Sequence, residues 1–397
     1  LTTILGLIVI GLFAYLGTLL FRIPGLPPSL KALIASGLGF FFVGLLLGPY
    51  AANLLDPQAL KSLDVVVNLG VGWVGLLFGL QFYRRDMLRF PARLYLSAGL
   101  QSLFTMLVVG AGMWAVVALS PWAAPVWLTV GILAIISSTT SPTIAEQMIH
   151  DTRPRGPITD AVRLVSSVDA VPAIVLLGVL LCFSPLHPEG AGVLGSGWLW
   201  VIAACGLGLT LGTLFHLITL YRYTDNQLLV IVLGLTVFCG GAAHYLRLSP
   251  LFVNMVVGMM VANRSPQRLR ILRSLLGVEK PIYLVLLTLA GAMWAVPPVS
   301  LFALVPLFIL LRLIGKFVGG YLATTAAGLE FRSTLGMGPG LVPHGGMAVV
   351  IALNVKQFFP GAIGDFALSA AIASVLAAAP MGPYALQRLL RQEGETH

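Results

Sequence analysis

The chain has 397 residues, of which 58% are hydrophobic and 9% charged, with 23 Lys and Arg against 14 Asp and Glu. Soluble domains carry about 25% charged residues, so a mean hydropathy of +0.97 excludes an ordinary water-soluble core. The apolar runs are long and unbroken, which excludes the short alternating strands of a β-barrel and leaves an all-α polytopic membrane protein.

In chain order, runs long enough to cross a bilayer fall at 1–21, 31–50, 62–83, 93–119, 123–149, 158–183, 197–220, 226–246, 249–262, 281–298, 300–325, 333–356 and 362–387. These predict about 13 transmembrane helices. The first run opens on Leu1 and has no small-residue cleavage site, so it reads as a span and not as a signal peptide. Charge tests the count. With the N-terminus outside and the C-terminus cytoplasmic, the inner loops hold 18 of the 23 cations: Arg22, Lys31, Arg84, Arg85, Arg89, Arg93, Arg153, Arg155, Arg163, Arg222, Arg264, Arg268, Arg270, Arg273, Lys280, Arg332, Arg388 and Arg391. Only Lys61, Arg247 and Lys356 fall outside, which is a positive-inside pattern that a wrong count would scramble. The net charge of +9 is therefore spread through short loops and marks orientation, not a nucleic-acid face. The polar connection Asn263–Lys280 carries a basic stretch, Arg264 to Arg270, that suits the inner leaflet. Cys182, Cys205 and Cys239 sit in apolar runs without paired spacing and read as small core residues.

Two runs are interrupted. In the fifth, the hydroxyl series Ser137-Ser138-Thr139-Thr140-Ser141 leads into Pro142, which removes a helical hydrogen bond and crowds the preceding turn. The twelfth, GMGPGLVPHGG from Gly336 to Gly346, contains Pro339 and Pro343 and cannot hold a regular helix. Seven spans separate the breaks, and an odd offset reverses the direction of crossing, which outlines an inverted-topology repeat with broken helices meeting at the midplane. Spans 4–6 pair with spans 11–13. The first set carries Asp169 in the sixth run; the second carries Lys316 and, one turn earlier, Arg312. A mid-span charge costs roughly 2.5–3.5 kcal/mol on insertion scales, so an isolated acid beside a broken helix reads as an ion or proton site. Lys316 reads equally as a counter-charge, and Arg312, which does not lose its proton, as a structural partner. His344 in the second break and Glu146 beyond the first are candidates for pH response. Gln101 and Asn254 are intramembrane amides suited to hydrogen bonds between helices. There is no dinucleotide fingerprint after a strand and no metal-spaced His/Cys/Asp cluster, so no enzyme and no resident cofactor are expected.

Four stretches carry a family resemblance: FFFVGLLLGP (Phe40–Pro49), LGVGWVGLLFGL (Leu69–Leu80), SPLFVNMVVG (Ser249–Gly258) and RLIGK (Arg312–Lys316). In this order they resemble spans 2, 3, 9 and 11 of the bacterial monovalent cation:proton antiporter superfamily, which includes sodium/proton antiporters and the Kef-like transmembrane domains. The resemblance covers nearly the whole chain. It implies the sodium/proton antiporter fold and a homodimer in the cell membrane, with a scaffold and a six-helix core that moves as an elevator. In those terms residues 1–92 form scaffold and dimerisation spans 1–3, 93–183 core spans 4–6, 184–225 a linker span, 226–298 scaffold spans 8–10 and 299–397 core spans 11–13. The family's essential aspartate maps to Asp169. Its broken-helix hydroxyls map to Thr139, Thr140 and Ser141, and Ser167, two residues before the acid, is counted with them as a cation- or proton-binding hydroxyl. Its span-11 base maps to Lys316, with Arg312 beside it. Asp169 is then the carboxylate that binds Na⁺, with K⁺ as the second choice, in competition with a proton. Many members carry a polar or acidic residue before the aspartate and Thr-Asp-Pro in the break. Here those places hold Val168 and Thr140-Ser141-Pro142, which leaves one core acid and suggests electroneutral exchange. The competing readings are a cation-coupled symporter of an organic anion on a related fold, and a Kef-like potassium efflux transporter without its nucleotide-sensing domain.

Overall fold

The structure is a computed structural model that describes residues 37–88, 91–119, 125–152, 154, 156–186, 197–221, 223–328, 333 and 335–395. The first predicted span, the start of the second, and the loop cations Arg22, Lys31, Arg89, Arg153, Arg155, Arg222 and Arg332 lie outside these residues.

Among the described residues every long element is a helix. In chain order they are α1 (Leu38–Leu47), α2 (Pro57–Ser62), α3 (Asp64–Gln81), α4 (Arg84–Met87), α5 (Ala92–Val117), α6 (Val126–Ser138), α7 (Pro142–Thr152), α8 (Pro157–Val168), α9 (Ala170–Cys182), α10 (Gly197–Ile218), α11 (Asp225–Tyr245), α12 (Pro250–Arg264), α13 (Arg268–Met293), α14 (Val299–Phe302), α15 (Val305–Ala327), a 3₁₀ turn (Gly338–Leu341), α16 (Gly346–Phe358) and α17 (Ala362–Gln392). Nine helices among the described residues are long and apolar enough to cross a membrane, counting α6 with α7, α8 with α9 and α14 with α15 as single spans. The runs at 249–262 and 333–356 give shorter helices, α12 of 15 residues and α16 of 13.

Local chemistry sets several boundaries. Asp56 accepts from the Ala59 amide at 2.6 Å ahead of Pro57 and starts α2. Thr224 and Gln227 form a reciprocal capping box at α11. Ser249 and Pro250 open α12 with a one-way cap, the Ser249 hydroxyl accepting from the Phe252 amide at 3.2 Å. Gly328, at φ 65°, ends α15 in the left-handed region that a side chain disfavours.

One boundary departs from expectation. The tenth run predicts a helix beginning near 281, after a polar connection; the chain is helical from Arg268 and carries Pro281 inside α13. Ile271 and Leu275 are buried one turn apart, so this basic segment has an apolar stripe that a count of its charges conceals.

The chain divides into two compact units. The first includes Phe40–Arg89 and Ile174–Met293; the second includes Phe90–Ala173 and Trp294–His397. In the first unit α3 and α12 touch backbone to backbone: a Cβ on Gly75, Gly79 or Gly258 would overlap the carbonyl of Leu251, Met255 or Leu76 respectively. Small residues four apart are what bring membrane helices this close. In the second unit α5 lies along α15, and the Thr105 hydroxyl donates to the Gly315 carbonyl at 3.2 Å. An apolar seam there joins Ile158, Val162 and Val165 of α8 to Met337, Leu341, Leu386, Leu389 and Leu390. The second unit holds both interruptions and Asp169.

Candidate functional site

The first interruption follows from its hydroxyls. Helix α6 ends where three successive side chains bond back to carbonyls three residues earlier: Ser137 to Ala134 at 2.6 Å, Ser138 to Ile135 at 2.9 Å and Thr139 to Ile136 at 3.2 Å. Such bonds compete with continuation of a helix. Thr139 is extended, and α7 starts at Pro142, a residue suited to a first helical position. Ser141 acts as the cap of α7, accepting from the Ile144 amide at 3.4 Å. The second interruption runs from the 3₁₀ turn through Val342, Pro343 and His344 to α16. The two breaks meet: the Ser141 amide donates to the Pro343 carbonyl at 3.0 Å.

Asp169 stands where α8 passes into α9, with its side chain fully buried. Pro172 lacks an N–H, so the Val168 carbonyl has no partner four residues on. The Ser102 hydroxyl of α5 donates to the Asp169 carbonyl at 3.2 Å. The carboxylate faces the first break. Its Oδ1 accepts from the Thr140 amide at 3.3 Å, and its Oδ2 accepts a short bond from the Thr140 hydroxyl.

Two cations one turn apart on α15 complete the site. The Lys316 ammonium donates to Asp169 Oδ2 at 3.3 Å, to Thr140 Oγ1 at 2.8 Å and to the Ser138 carbonyl. Three donors thus meet three oxygens. The Arg312 guanidinium donates from Nη1 to the Val342 carbonyl and from Nη2 to the Thr139 carbonyl, both at 3.1 Å. Both side chains are buried. Ser138 and Thr139 lie at the C-terminal end of α6, where free carbonyls and the helix dipole favour positive charge.

The remaining expected residues fall in different places. Thr139 contributes its carbonyl to Arg312, while its hydroxyl turns to Ile136 and to His344 Nε2 at 3.2 Å. Ser141 contributes to the join between breaks. Ser167 stays outside this cluster: its hydroxyl donates to the Arg163 carbonyl of its own helix at 2.8 Å. Glu146 is half exposed and paired with Arg163 at 2.7 Å. His344 has partners on both ring nitrogens, Ser374 at 2.8 Å on Nδ1 and the Ile136 carbonyl at 3.2 Å on Nε2. A carbonyl only accepts, so Nε2 carries the proton. Pro142 begins α7, Pro339 lies in the 3₁₀ turn and Pro343 supplies the carbonyl to Ser141. Sequence reasoning missed Ser102 and the carbonyls of Ser138 and Val342. Ser102 adjoins Gln101, which was noticed, but a carbonyl's role leaves no mark in residue type.

A buried carboxylate, a hydroxyl and buried helix-end carbonyls make a set of hard oxygen ligands, already neutralised by an ammonium. They lie on helices of membrane length that are both interrupted, Val126–His150 in the first case. The family model described as sodium/hydrogen exchanger, transmembrane, matches residues 4–392, and the chain belongs to that family. No curated protein matches the sequence. Among solved structures, the chain is similar to the sodium proton antiporter MjNhaP1 from Methanocaldococcus jannaschii at pH 8, with a TM-score of 0.69 at 14% identity over 98% of this chain and 100% of that one. An electron-microscopy structure of MjNhaP1 gives a TM-score of 0.63 at 15% identity over 99% of each chain. These likenesses extend the fold of that antiporter across the whole chain.

Proposed function

We propose that this cation:proton antiporter exchanges Na⁺, and K⁺ as second choice, for protons at Asp169. The observation that carries the reading is the buried Asp169 carboxylate facing the interrupted backbone at Thr140. The proton and the cation use the same carboxylate, so binding one expels the other. When a cation arrives, Asp169 and the Thr140 hydroxyl oxygen turn from the Lys316 ammonium to the metal ion, and carbonyls such as that of Ser138 complete its shell. Lys316 serves as the resident counter-charge of the empty carboxylate. Arg312 stays charged and fixed on carbonyls.

In this reading residues 93–183 and 299–397 form the translocating core and 1–92 and 226–298 the scaffold, with residues 184–225 as the linker span. The core moves as an elevator, carrying Asp169 from one face to the other. The protein is a homodimer in the cell membrane, with its N-terminus outside and its C-terminus cytoplasmic. Exchange is electroneutral, one proton per cation, because Val168 stands where the charge-moving relatives that this chain resembles carry a second acid.

The test is dissipation of an imposed pH gradient in proteoliposomes on adding Na⁺, K⁺ or Li⁺ in turn. A response to Na⁺ that exceeds the response to K⁺ supports the reading. Silence to all three overturns it.

A further inference from the structure

The helix that delivers Asp169 begins without a cap of its own. At the start of α8 the capping position is Gly156, which has no side chain, and Pro157 has no N–H. The amides of Ile158 and Thr159 are the donors that a capping side chain normally satisfies. They are satisfied from the far end of the sequence. Glu395 Oε1 accepts from the Ile158 amide at 2.9 Å, and Oε2 accepts from the Thr159 amide at 2.8 Å and the Thr159 hydroxyl at 2.6 Å.

Gly156 is extended, a conformation open to any residue, so backbone strain is not what requires glycine here. What glycine provides is space: a Cβ at Gly156 would overlap the Glu395 carboxylate where it now lies and push it off the two amides. The cap is thus exchanged between positions. A Ser or Asp at 156 would cap locally; glycine leaves room for a carboxylate arriving over a separation of 237 residues.

Two further contacts make this a strap. Glu393 accepts from the Ser333 amide at 2.8 Å, just ahead of the second break. The end of α17 packs Leu386, Leu389 and Leu390 into the seam that includes Val162 and Val165 of α8 and Met337 and Leu341 of the second break. One segment therefore holds the start of the Asp169 helix and the approach to the second break together. A carboxylate at a helix N-terminus also complements the positive end of the helix dipole.

We infer that Glu395 is a positioning residue for ion exchange: by capping α8 from the segment after α17, it fixes the axial placement of the helix on which Asp169 is presented to Thr140. Ten residues of helix, about 15 Å at 1.5 Å per residue, separate the cap from the carboxylate. A shift of the helix start is transmitted along that rod, because the hydrogen bonds between them are short-range and in series. The effect falls on affinity, since the carboxylate's distance from the break sets how well a cation is enclosed. The inference rests on Asp169 as the exchange site.

The test combines Glu395→Ala, the milder Glu395→Gln, and Glu395→Ala with Gly156→Ser, which restores a local cap in the vacated space. Two readouts are taken on the full chain: amide hydrogen exchange of the peptide containing Ile158 and Thr159, and the apparent KM and kcat for Na⁺ in proteoliposomes. The expected result is faster exchange at the start of α8 and a KM raised about fivefold at similar kcat for Glu395→Ala, on the order of 1 kcal/mol for a lost cap. Glu395→Gln is intermediate, and the double variant recovers both readouts. Unchanged amide exchange in Glu395→Ala overturns the strap. Faster exchange with an unchanged KM overturns the positioning role and leaves only a stabilising cap. If Glu395→Ala does not fold, Glu395→Gln decides on the same two readouts. Flux that survives in Asp169→Asn, measured alongside, overturns the site reading and the effect on affinity with it, while amide exchange still decides the cap.

Discussion

Lys316 and Asp169 are joined twice. The ammonium lies 3.3 Å from Oδ2 directly, and 2.8 Å from the Thr140 hydroxyl that donates its own proton to the same Oδ2. The hydroxyl accepts from the cation and donates to the anion, so its dipole is oriented by both. A metal ion taking the place of the ammonium would find that oxygen already facing it.

Replacing Asp169 by Asn removes the only group of this cluster that both binds a proton and carries negative charge. Exchange should be abolished, while detergent-solubilised protein remains folded, because the amide keeps the shape and can still accept from Thr140. Loss of cation-driven fluorescence change from a pH-sensitive dye, with a retained monodisperse elution profile, is the expected pair of observations. In the wild type, competition at one carboxylate means that the apparent KM for the cation falls as pH rises. A KM independent of pH over the active range would contradict shared use of Asp169.

Thr140 and Ser141 should separate, although adjacent. Thr140 touches Asp169 with both amide and hydroxyl, whereas Ser141 caps α7 and holds Pro343. Thr140→Val keeps the amide and the shape but loses a hydrogen bond to a charged group, worth roughly 1.5–3 kcal/mol, and should raise the cation KM at least about tenfold. Ser141→Ala should lower the melting temperature and leave KM nearly unchanged. Equal KM effects would return both hydroxyls to the ion.

For Lys316 the comparison is between Met and Arg. Breaking a buried pair by removing one partner costs about 3–5 kcal/mol, so Lys316→Met should melt at clearly lower temperature while some exchange survives. Lys316→Arg keeps the charge and cannot deprotonate. A variant Lys316→Arg that is stable but transport-dead would place lysine deprotonation in the cycle.

The proposed electroneutral exchange makes a direct electrical prediction. Sodium-driven proton flux in proteoliposomes should be insensitive to a membrane potential clamped with potassium and valinomycin. A steep dependence would show that a second charge crosses with each cycle.

The close approach of α3 and α12 should be intolerant of bulk. Gly258→Leu places a side chain against the Leu76 carbonyl and the Gly79 backbone, and overpacking of this kind costs typically about 1–3 kcal/mol, here with no flexible neighbour to give way. Thermal stability and expression should both fall, with Gly277→Leu, at a position with open space, as the control.

The all-helical architecture, both interruptions and the buried charges were readable from the sequence for one reason: in an apolar chain, a proline, a glycine cluster or a charge stands out against its surroundings. Asp169, Lys316 and Arg312 could be found that way. The division of labour among the hydroxyls could not, because a Ser or Thr three residues past a carbonyl can bond backwards or face outwards according to rotamer. Ser167 and the Thr139 side chain turned to their own helices for that reason. Lys356, assigned by count to an outer loop, is buried against Asp365. The turn that brings those residues together follows from tertiary packing and has no local signature. Glu395 was invisible for the same reason, since nothing in a distant glycine announces which carboxylate it admits.

Arg312 has a mechanical meaning beyond charge. Its two terminal nitrogens grip one carbonyl from each interruption, Thr139 and Val342, at equal distances. Two stretches that lack helical hydrogen bonds would each be the softest point of the unit if left alone. Pinned to one planar group, they share a fulcrum: a displacement of either is felt by the other at once. On the exchange proposed at Asp169, a cation seated at Thr140 would stiffen the crossing as a whole, and a loaded core would travel as one solid piece.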